Sequence, residues 1–555
     1  MTESTTGLCS GGRSATDVVL VAFHGEILNR LALCQQLGLM RETPLQDVLC
    51  AGWHRWSIGL MHRLDGVFSL ALRDGEELLL YRDPSGLRNL YWQQAADGTI
   101  LFATHLHGRP TPTAAPQRVA RQSLHEYLRF LEVAPPHTLL KGVSAVEAGQ
   151  ALRWKGRSQV AVEPLPPVPC LDAPVSFSAA VDELDARLQR SVQDRLTGAA
   201  RPAAFLSGGI DSALLCALAS RQRSDLTAVT VGFDGARYDE APVAQRIANH
   251  LGVAHEVLRF NRAQFLAAFD RLSREAEEPM ADPAAMATVL AFEHCRGRFD
   301  VVLDGTGADE VVGTMPPRHV RLAVGHASRL PRGVRQHTAR LLRAIPGLAG
   351  YAPVLDFDHP ADTMSRWHGF TRQEIEQLCS EPVSLEHTQF FRTFARYPRQ
   401  AHFERYTALQ NAMTSDRLNQ ALVITGAPVR FPFWAAEIDR FMRHLRTDYR
   451  HLPGQPKRIL RALLARYVPS TIWDLPKHSF NFPLREFLAG DDFQLVRQHL
   501  APQRWQAFGL LNLERTQHFA QQFMRGDDRV TFRVWALVVL GAWLEQHMDQ
   551  LDLSA

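Results

Sequence analysis

The residues best suited to chemistry lie in the run Leu206-Ser207-Gly208-Gly209-Ile210-Asp211-Ser212. The apolar residues before it predict a buried parallel strand, and residues 213–220 predict a helix. Glycines in the turn let the backbone approach a ligand, and a helix N-terminus favours negative charge. The run therefore predicts an anion site. Asp211 would repel a bare phosphate, which indicates a bridging Mg²⁺.

Two other phosphate motifs are excluded, because no Gly-Lys-Ser/Thr closes the turn and the spacing is not that of a dinucleotide fingerprint. The run resembles the PP-loop of ATP pyrophosphatases, which implies ATP as the ligand. Ser-Gly-Gly alone would favour an ordinary strand–turn–helix corner. The full run after an apolar strand favours the PP-loop.

Composition sets the broad class of the protein. The chain has 555 residues, 46% of them hydrophobic, and a net charge of +3, so we expect a few packed domains and no nucleic-acid partner. Seven scattered cysteines form no CxxC pair, which argues against a disulfide framework or a zinc site. No signal peptide or membrane-length apolar run is present, so we expect a cytoplasmic protein.

The first half predicts an α+β domain. Strands are expected at 18–23, 67–72, 77–81 and 99–103, paired antiparallel, and helices at 28–37 and 123–131. The proline-rich residues 163–175 predict a stiff linker. We therefore predict a first domain at 1–162, a linker at 163–175 and a second domain at 176–555.

In the second half, predicted strands and helices alternate along the chain, as they do in α/β folds. Helices are expected at 179–195, 239–251, 263–274, 285–295 and 534–544, and strands at 226–233, 255–259 and 301–304, besides the strand before Ser207. This alternation predicts a doubly wound, mostly parallel sheet. Ligands bind such sheets at the carboxyl ends of the strands, where the Gly-rich turn lies.

Three runs of the first half resemble glutamine-dependent asparagine synthetases: FHGEILN at 23–29, LDGVF at 64–68 and RDPSGLRNLY at 82–91. The resemblance implies an Ntn-glutaminase-like fold. The glutaminase chemistry is not expected, because Thr2 stands where the family has its nucleophilic Cys and His24 replaces the pocket Asn of NGE. The short stretch before Gly25 also lacks the family's RGPD and RLSI elements. We expect this half to act as a structural platform.

The second half resembles the same family more strongly and implies a PP-loop ATP pyrophosphatase fold of the adenine nucleotide α-hydrolase type. LDGTGADE at 303–310 lies where the family has SGEGSDE, QPKRILR at 455–461 matches GEKxxLR, and LPKHSFNFP at 475–483 resembles RPKxGFxxP. By this match Asp211 and Asp309 hold Mg²⁺, and Lys457 contacts the α-phosphate as the catalytic cation. The implied ATP-binding residues are Leu206, Ser207, Gly208, Gly209, Asp211, Ser212, Val231, Gly232, Gly305, Lys457 and Lys477.

One position departs from the family at the reacting centre. Thr306 stands where asparagine synthetases have Glu and β-lactam synthetases have a Tyr that works with a Glu as general base. A Thr hydroxyl cannot act as the base near neutral pH. Asp304, Glu404 and Tyr406 are alternative bases, although a structural ion pair is the favoured role of Glu404. The replacements Pro428 and Ala435 predict an altered acceptor.

Residues 313–398 are longer than in short asparagine synthetases, and their first half is basic. Seven arginines contribute: Arg318, Arg321, Arg329, Arg332, Arg335, Arg340 and Arg343. A solvated helical face is the favoured interpretation. The alternative is an insertion that grips a large or acidic substrate.

The resemblance implies an ATP-dependent ligase that adenylates a carboxylate and joins it to an amine. Without a glutaminase, lasso-peptide cyclases and β-lactam synthetases are the branches that fit, and Thr306 argues against the second. We therefore expect a macrolactam synthetase, whose precursor peptide would come with a leader-peptide-binding protein and a protease. An asparagine synthetase, ammonia-dependent or glutamine-hydrolysing, is the alternative. A nucleotide-binding scaffold without catalysis is a third reading, and the oligomeric state is left open.

Overall fold

The computed structural model of the chain describes residues 5–10, 18–107, 116–156, 160–165, 176–232, 239–345, 348–365, 369–398, 400–412, 416–475 and 482–553. Lys477, Thr2 and most of the predicted linker, from residue 166 to residue 175, lie outside these ranges.

The first half is mainly strands. They are β1 (Thr5–Ser10), β2 (Val18–Ile27), β3 (Gly66–Asp74), β4 (Glu77–Arg82), β5 (Tyr91–Gln94), β6 (Ile100–Ala103), β7 (Gln117–Arg118), β8 (Ser144–Ala145), β9 (Ala151–Lys155) and β10 (Ala161–Glu163). The helices are α1 (Arg30–Leu37), α2 (Leu45–Trp56) and α3 (Arg121–Phe130).

Antiparallel pairing organises these strands, as the sequence predicts. In the described part of this half, one sheet has the order β1-β2-β3-β4-β9-β10, and a smaller one has the order β6-β5-β8. The alternating residues Val19 and Val21 of β2 pack with Leu70 and Leu72 of β3 under α1 and α2. One face of the large sheet is therefore covered by helices.

The second half contains β11 (Pro202–Phe205), β12 (Thr227–Gly232), β13 (Ala254–Arg259), β14 (Val301–Leu303), β15 (Val429–Arg430) and β16 (Leu551–Asp552). Its helices up to the middle of the half are α4 (Phe177–Leu196), α5 (Ile210–Ser220), α6 (Ala241–Leu251), α7 (Arg262–Glu275), α8 (Ala285–Cys295), α9 (Ala308–Val312), α10 (Arg318–Gly325), α11 (Arg332–Ala344), α12 (Arg372–Cys379) and α13 (Gln389–Arg396).

The remaining helices are α14 (His402–Ala412), α15 (Arg417–Thr425), α16 (Ala436–His444), α17 (Thr447–Arg450), α18 (Arg458–Leu464), α19 (Ser470–Trp473), α20 (Leu484–His499), α21 (Pro502–Phe508), α22 (Leu513–Met524) and α23 (Thr531–His547). Helix α20 is interrupted, because its backbone is not helical at residues 490–493. Short 3₁₀ turns occur at Ser57–Arg63, Ala327–Arg329, Ala349–Val354, Pro360–Met364, Pro432–Trp434, Asp528–Val530 and Met548–Gln550.

The central sheet is parallel, and the order of its described strands is β13-β12-β11-β14-β15. Alternate residues of β11 face opposite sides: Ala204 packs with α4, α5 and α18, whereas Ala203 packs with α8 and α15. Helices therefore cover both faces, and the doubly wound prediction is confirmed. Strand β11 lies in the middle, with the Gly-rich turn at its carboxyl end.

The two halves share one hydrophobic core. Tyr127 of α3 is fully buried against α23, and its hydroxyl donates to the Ala536 carbonyl at 2.8 Å. Strand β16 pairs in parallel with β7, and Arg118 contacts Asp552 at 3.0 Å. The last helix and strand of the described chain thus return to the first half. Residues on both sides of the predicted linker therefore pack in the same hydrophobic core.

Several element ends differ from the sequence predictions. Helix α5 begins at Ile210 rather than Ala213, so Asp211 and Ser212 lie in its first turn. Strand β2 continues to Ile27, and α1 starts at Arg30 rather than at residue 28. The pairing of β2 with β3 explains this, because it extends to the Ile27–Gly66 position. Helix α2 and strand β15 were not predicted.

Candidate active site

The Gly-rich turn is held by its own serines. The Ser207 amide donates to Ser212 Oγ at 2.9 Å, the two hydroxyls lie 2.8 Å apart, and the Gly209 amide donates to Ser207 Oγ at 3.0 Å. These bonds fix the turn between β11 and α5. The N-terminus of α5 then faces the carboxyl edge of the sheet, which is the geometry of an anion site.

The loop after β14 lies directly against this turn. A Cβ on Gly305 would lie 3.0 Å from the Ser212 amide nitrogen, so only glycine allows the approach. Asp304 Oδ1 accepts from the Thr306 amide at 2.7 Å and from the Thr306 hydroxyl at 2.6 Å. Asp304, one of the three predicted alternative bases, is thus bonded to Thr306 in a turn, which then leads into α9 and Asp309.

Lys457 joins the two carboxylates. It precedes α18 in a left-handed conformation (φ 56°), and its side chain is buried. Its Nζ lies 2.5 Å from Asp211 Oδ2 and 2.8 Å from Asp309 Oδ1. Helix α18 is packed against α4 and α5, which fixes the distance between the lysine and the turn. The structure therefore brings together the three residues that the sequence assigns to the reacting centre.

The charges at this centre do not balance. Burial alone would lower the pKa of Lys457, but Asp211 and Asp309 outweigh it and raise that pKa well above its usual value. The ammonium is therefore charged, and the two carboxylates leave the trio with a net negative charge. Lys457 supplies a positive charge beside Asp211. The sequence reasoning expected this charge to come from Mg²⁺.

The donor set at this centre fits a magnesium ion that arrives with a nucleotide. Two carboxylates offer hard oxygens, and more than half of the Asp309 side chain is exposed. No cluster of three or more His, Cys, Asp or Glu side chains suited to a metal occurs among the described residues. Phosphate oxygens and water would complete the shell, as Mg²⁺ prefers.

The predicted adenine side lies along β11 and β12. The Leu206 amide donates to the Val229 carbonyl at 2.8 Å, and Thr230 Oγ1 donates to the Leu206 carbonyl at 2.6 Å. Val231 and Gly232 end β12 beside the Gly-rich turn. Thr230 also contacts His255 Nε2 at 2.7 Å, so β13 helps to fix the residue before the turn. Sequence reasoning did not identify Thr230 or His255.

A cavity of about 750 Å³ lies between the two halves, and Asp211, Asp309 and Lys457 are not among its lining residues. Its lining includes Glu310 and Val311 of α9, which directly follow Asp309, and Ala408 and Asn411 of α14. On the other side it is lined by β3, β4 and the loop after β4, including Tyr81 and Arg82. The cavity was not predictable from either half alone.

Several buried charges line the cavity. Glu132, Glu278 and Asp416 come from three separate segments, and Arg82 lies among them. Burial raises the pKa of Glu278 well above its usual value, and the negative charges of Asp416 and Glu277 add to the effect. Burial therefore favours the neutral form of Glu278 relative to an exposed carboxyl.

The first half shows a basic site where the family resemblance places a glutamine pocket. Burial, Arg88 and His105 together lower the pKa of His24 to about 4, so its imidazole is neutral at pH 7. His24 Nδ1 and Arg88 Nε are buried without a hydrogen-bond partner in the described part of the chain. The described cysteines Cys34, Cys50, Cys216, Cys295 and Cys379 are all buried.

Two predicted site residues lie apart from the trio or outside the described ranges. Glu404 is on the exposed side of α14, and its charge acts on Arg450. It is not among the described residues that line the cavity. Nothing among the described residues places Glu404 at the carboxylate centre, so its catalytic role is still a prediction. Lys477 lies outside the described residues, so its role is still a prediction.

The basic insertion is only partly solvated. Arg335 is buried, Arg332 contacts Asp358 at 2.6 Å, and Arg343 pairs with Asp356. None of these three arginines lines the described cavity. Their recorded contacts lie within the insertion.

Comparison with known proteins supports this layout. The family model described as Asparagine synthase matches residues 183–545, and the model described as Glutamine amidotransferase domain matches residues 13–163. A protein of Mycobacterium tuberculosis H37Rv named "Putative asparagine synthetase [glutamine-hydrolyzing]" is 27% identical over 96% of this chain and 85% of its own. "Asparagine synthetase [glutamine-hydrolyzing] 1" of Bacillus subtilis is 21% identical, over 96% and 86%.

The chain also matches proteins that carry other names. "Amidase chyE" of Penicillium rubens is 23% identical over 89% of this chain and 82% of its own. Among solved structures, an NH3-dependent NAD synthetase from Campylobacter jejuni matches 25% of this chain and 60% of its own, at 15% identity and a TM-score of 0.19. Of the helices that the structure describes, none has the length and apolar character needed to cross a membrane.

Proposed function

The chain belongs to the asparagine synthase family of ATP-dependent carbon–nitrogen ligases, and from that premise we propose that it closes a macrolactam of the lasso type in a peptide. A side-chain carboxylate of the peptide attacks the α-phosphate of ATP, which gives an acyl-adenylate and pyrophosphate. The amino terminus of the same peptide then displaces AMP, and an amide bond forms.

The residues of the carboxylate centre have distinct tasks in this proposal. The amides of the Gly-rich turn and the Ser207 hydroxyl bind the leaving pyrophosphate. Lys457 stabilises the charge that develops on the α-phosphate and on the tetrahedral intermediate. Asp211 and Asp309 would hold Mg²⁺, which neutralises phosphate charge when bound. Glycine at 305 keeps the two loops close enough for this arrangement.

The observation that carries the proposal is the cavity between the halves. Its volume of about 750 Å³ is in the range of sites that hold drug-sized ligands, far larger than ammonia requires. Its lining includes Glu310, which directly follows Asp309 in the chain. A peptide segment that carries the amine can occupy this space.

The first half supports an amine source other than glutamine. His24 replaces the Asn that the family resemblance places in the glutamine pocket, and its neutral imidazole lies beside Arg88. A peptide substrate also implies two partners, a leader-peptide-binding protein and a protease that removes the leader.

An asparagine synthetase is the second candidate, and the names of the bacterial relatives favour it. In that case the cavity would carry ammonia toward the adenylate. Thr306 weighs against it, because the family resemblance places the general base there and a threonine hydroxyl does not accept a proton near neutral pH.

The test uses purified protein, ATP and Mg²⁺ with the peptide encoded by a short reading frame beside the gene. We expect exchange of pyrophosphate into ATP that requires the peptide's carboxylic acid. We also expect release of AMP and a peptide product lighter by one water. Aspartate with ammonia or glutamine is the parallel assay. Formation of asparagine there, with an unchanged peptide, would contradict the macrolactam proposal. Pyrophosphate exchange in the absence of any carboxylic acid substrate would contradict adenylation of a carboxylate.

A further inference from the structure

One part of the lining of the cavity between the halves is built from hydrogen-bond acceptors. Glu132, Glu278 and Asp416 line the cavity and come from three separate segments of the chain. The Asp416 amide donates to Glu132 Oε2 at 3.3 Å, and the charge of Asp416 contributes to the raised pKa of Glu278. The three carboxyl groups are therefore neighbours. Together with Asn419, which also lines the cavity, they are called the acceptor wall below.

Asn419 brings to this wall an acceptor that the fold does not use. The residue is 1% exposed, and its Nδ2 donates to Asp416 Oδ1 at 3.0 Å. This bond fixes the orientation of the amide, because only the NH₂ end can donate to a carboxylate. Asn419 Oδ1 therefore points away from Asp416, and it has no hydrogen-bond partner among the described residues. A buried carbonyl oxygen without a donor is costly, so the geometry calls for a donor from outside the fold.

A buried arginine lines the same cavity but does not supply that donor. Arg82 Nη1 donates to the Val146 carbonyl at 2.9 Å, and its Nη2 donates to Asn89 Oδ1 at 2.5 Å and to the Gly86 carbonyl. All three acceptors are neutral, and no hydrogen bond or ion pair within the described ranges joins Arg82 to the acceptor wall. The remaining arginines of the lining belong to α13 and α16, which carry no part of the wall: Arg396, Arg440 and Arg443.

We propose, on the basis of the ligase function above, that the acceptor wall binds the primary ammonium group of the amine substrate. An ammonium group has three N–H donors and no acceptor, so it matches a surface of carboxylate and amide oxygens. Asn419 Oδ1 accepts one of its hydrogen bonds, and the carboxylates of Glu132 and Asp416 attract its charge. An anionic ligand would instead meet carboxyl groups. The wall thus selects the amine partner of the reaction.

Two substrates carry this chemistry, the amino terminus of a peptide and the free ammonium ion. The experiment uses the full chain without ATP, and saturation-transfer difference NMR at pH 7 with glycinamide as the probe. Glycinamide carries a primary ammonium group beside a peptide-like amide, whereas N-acetylglycinamide lacks the ammonium group. We expect a saturable signal from glycinamide and none from the acetylated compound. Tetramethylammonium chloride has the charge but no N–H donor, so it should not displace glycinamide.

Competition with ammonium chloride separates the two sources. Displacement by ammonium chloride at a lower concentration than glycinamide itself requires would assign the wall to the free ammonium ion. Displacement only at a higher concentration would assign it to the amino terminus of a larger substrate. Either result supports binding of an ammonium group.

Two variants test the residues of the wall. Asn419→Leu removes the unused acceptor at similar volume, and Glu132→Gln keeps the shape of the side chain and removes its charge. Each should weaken glycinamide binding by about tenfold, the effect of losing one hydrogen bond to a charged group. Asn249→Leu makes the same replacement at an exposed asparagine of α6 and is the matched control. Thermal unfolding checks that each variant is folded.

Three results would overturn the proposal. They are glycinamide binding that neither wall variant weakens, equal displacement by tetramethylammonium, and the absence of any saturable glycinamide signal. Because the assay contains no ATP, failure of the proposed function is seen separately, as glycinamide binding without pyrophosphate exchange. A chain that exchanges pyrophosphate and does not bind glycinamide would refute the acceptor wall and leave the ligase function intact.

Discussion

Lys457 Nζ lies 2.5 Å from Asp211 Oδ2, although 246 residues separate the two along the chain. The contact joins the start of α18 to the first turn of α5. It has two consequences: the pKa of the lysine lies well above its usual value, and replacement of the lysine removes this cation from Asp211 and Asp309.

Replacement of Lys457 by Met should lower the rate of ATP–pyrophosphate exchange by about 10²–10³-fold, because one preorganised cation at the reacting phosphate is lost. Loss of the lysine charge beside Asp211 and Asp309 should also reduce stability. Thermal unfolding checks that the variant folds, and exchange kinetics are then measured on the folded protein. Arg458→Met, at the next residue, is the control. Equal loss in both variants would contradict a specific role of Lys457.

Replacement of Asp309 by Asn should raise the Mg²⁺ concentration needed for half-maximal exchange by about tenfold or more, since a direct oxygen ligand contributes at least as much as an indirect one. A Mg²⁺ titration at saturating ATP measures this. Asp225→Asn serves as the matched control, because Asp225 is exposed and pairs with Arg223. An unchanged Mg²⁺ dependence in Asp309→Asn would remove this residue from the metal site.

Filling the cavity should separate the two half-reactions. Ala408→Trp and Ala436→Trp place an indole into the lined space, whereas Gln410→Trp lies on the same helix as Ala408 and outside the lining. We expect the first two to keep pyrophosphate exchange and to lose peptide amide formation. Hydroxylamine, which is small, should still trap the adenylate as a hydroxamate. Retained peptide closure in both filled variants would show that the amine approaches by another route.

The buried His499 should make the protein sensitive to acid. Burial, helped by Arg504, lowers its pKa to about 4, while the unfolded chain binds the proton near 6.5. Between these values the unfolded state holds more protons, so the free energy of unfolding falls as the pH falls from 6.5 to 4. The loss is up to about 3 kcal/mol for this residue. Urea unfolding at pH 7 and pH 5 measures it, and His499→Gln should show a smaller difference.

The Tyr127 hydroxyl joins the first half to the last helix. Tyr127→Phe removes that donor and keeps the ring, so the free energy of unfolding should fall by about 1 kcal/mol. Tyr351→Phe is the control, because Tyr351 is an exposed tyrosine (61% exposed). Urea titrations of both variants give the values. Equal effects would mean that the bond to Ala536 does not stabilise the interface.

The local part of the site was predictable from sequence. The strand, the glycines and the helix around Ser207 are encoded within a dozen residues, and the structure places them as expected. Asp309 and Lys457 could be named only through the family resemblance, because no local pattern relates them to Asp211. The structure supplied the distances between these residues. It also showed that Lys457 provides a positive charge that the sequence reasoning expected from the metal alone.

Other features depend on packing that a linear pattern does not contain. Strand β15 has two residues and is formed by its pairing with β14. The cavity exists only where two halves meet, and its lining is drawn from more than ten segments. Arg335 belongs to a run that composition marks as solvated, yet backbone carbonyls more than twenty residues away bury it. Helix α2 carried a usable signal, because its apolar residues follow helical spacing.

The pairing of β7 with β16 joins two segments that are synthesised at different times. Gln117 and Arg118 leave the ribosome early, whereas their partners Leu551 and Asp552 are synthesised more than four hundred residues later. Domains commonly complete their folding as they emerge. Here the surface of α3 that packs on α23 has no partner until the end of the chain is made, so we expect the first half to complete its folding late. Translation speed, rather than sequence alone, would then influence how much active protein a cell obtains.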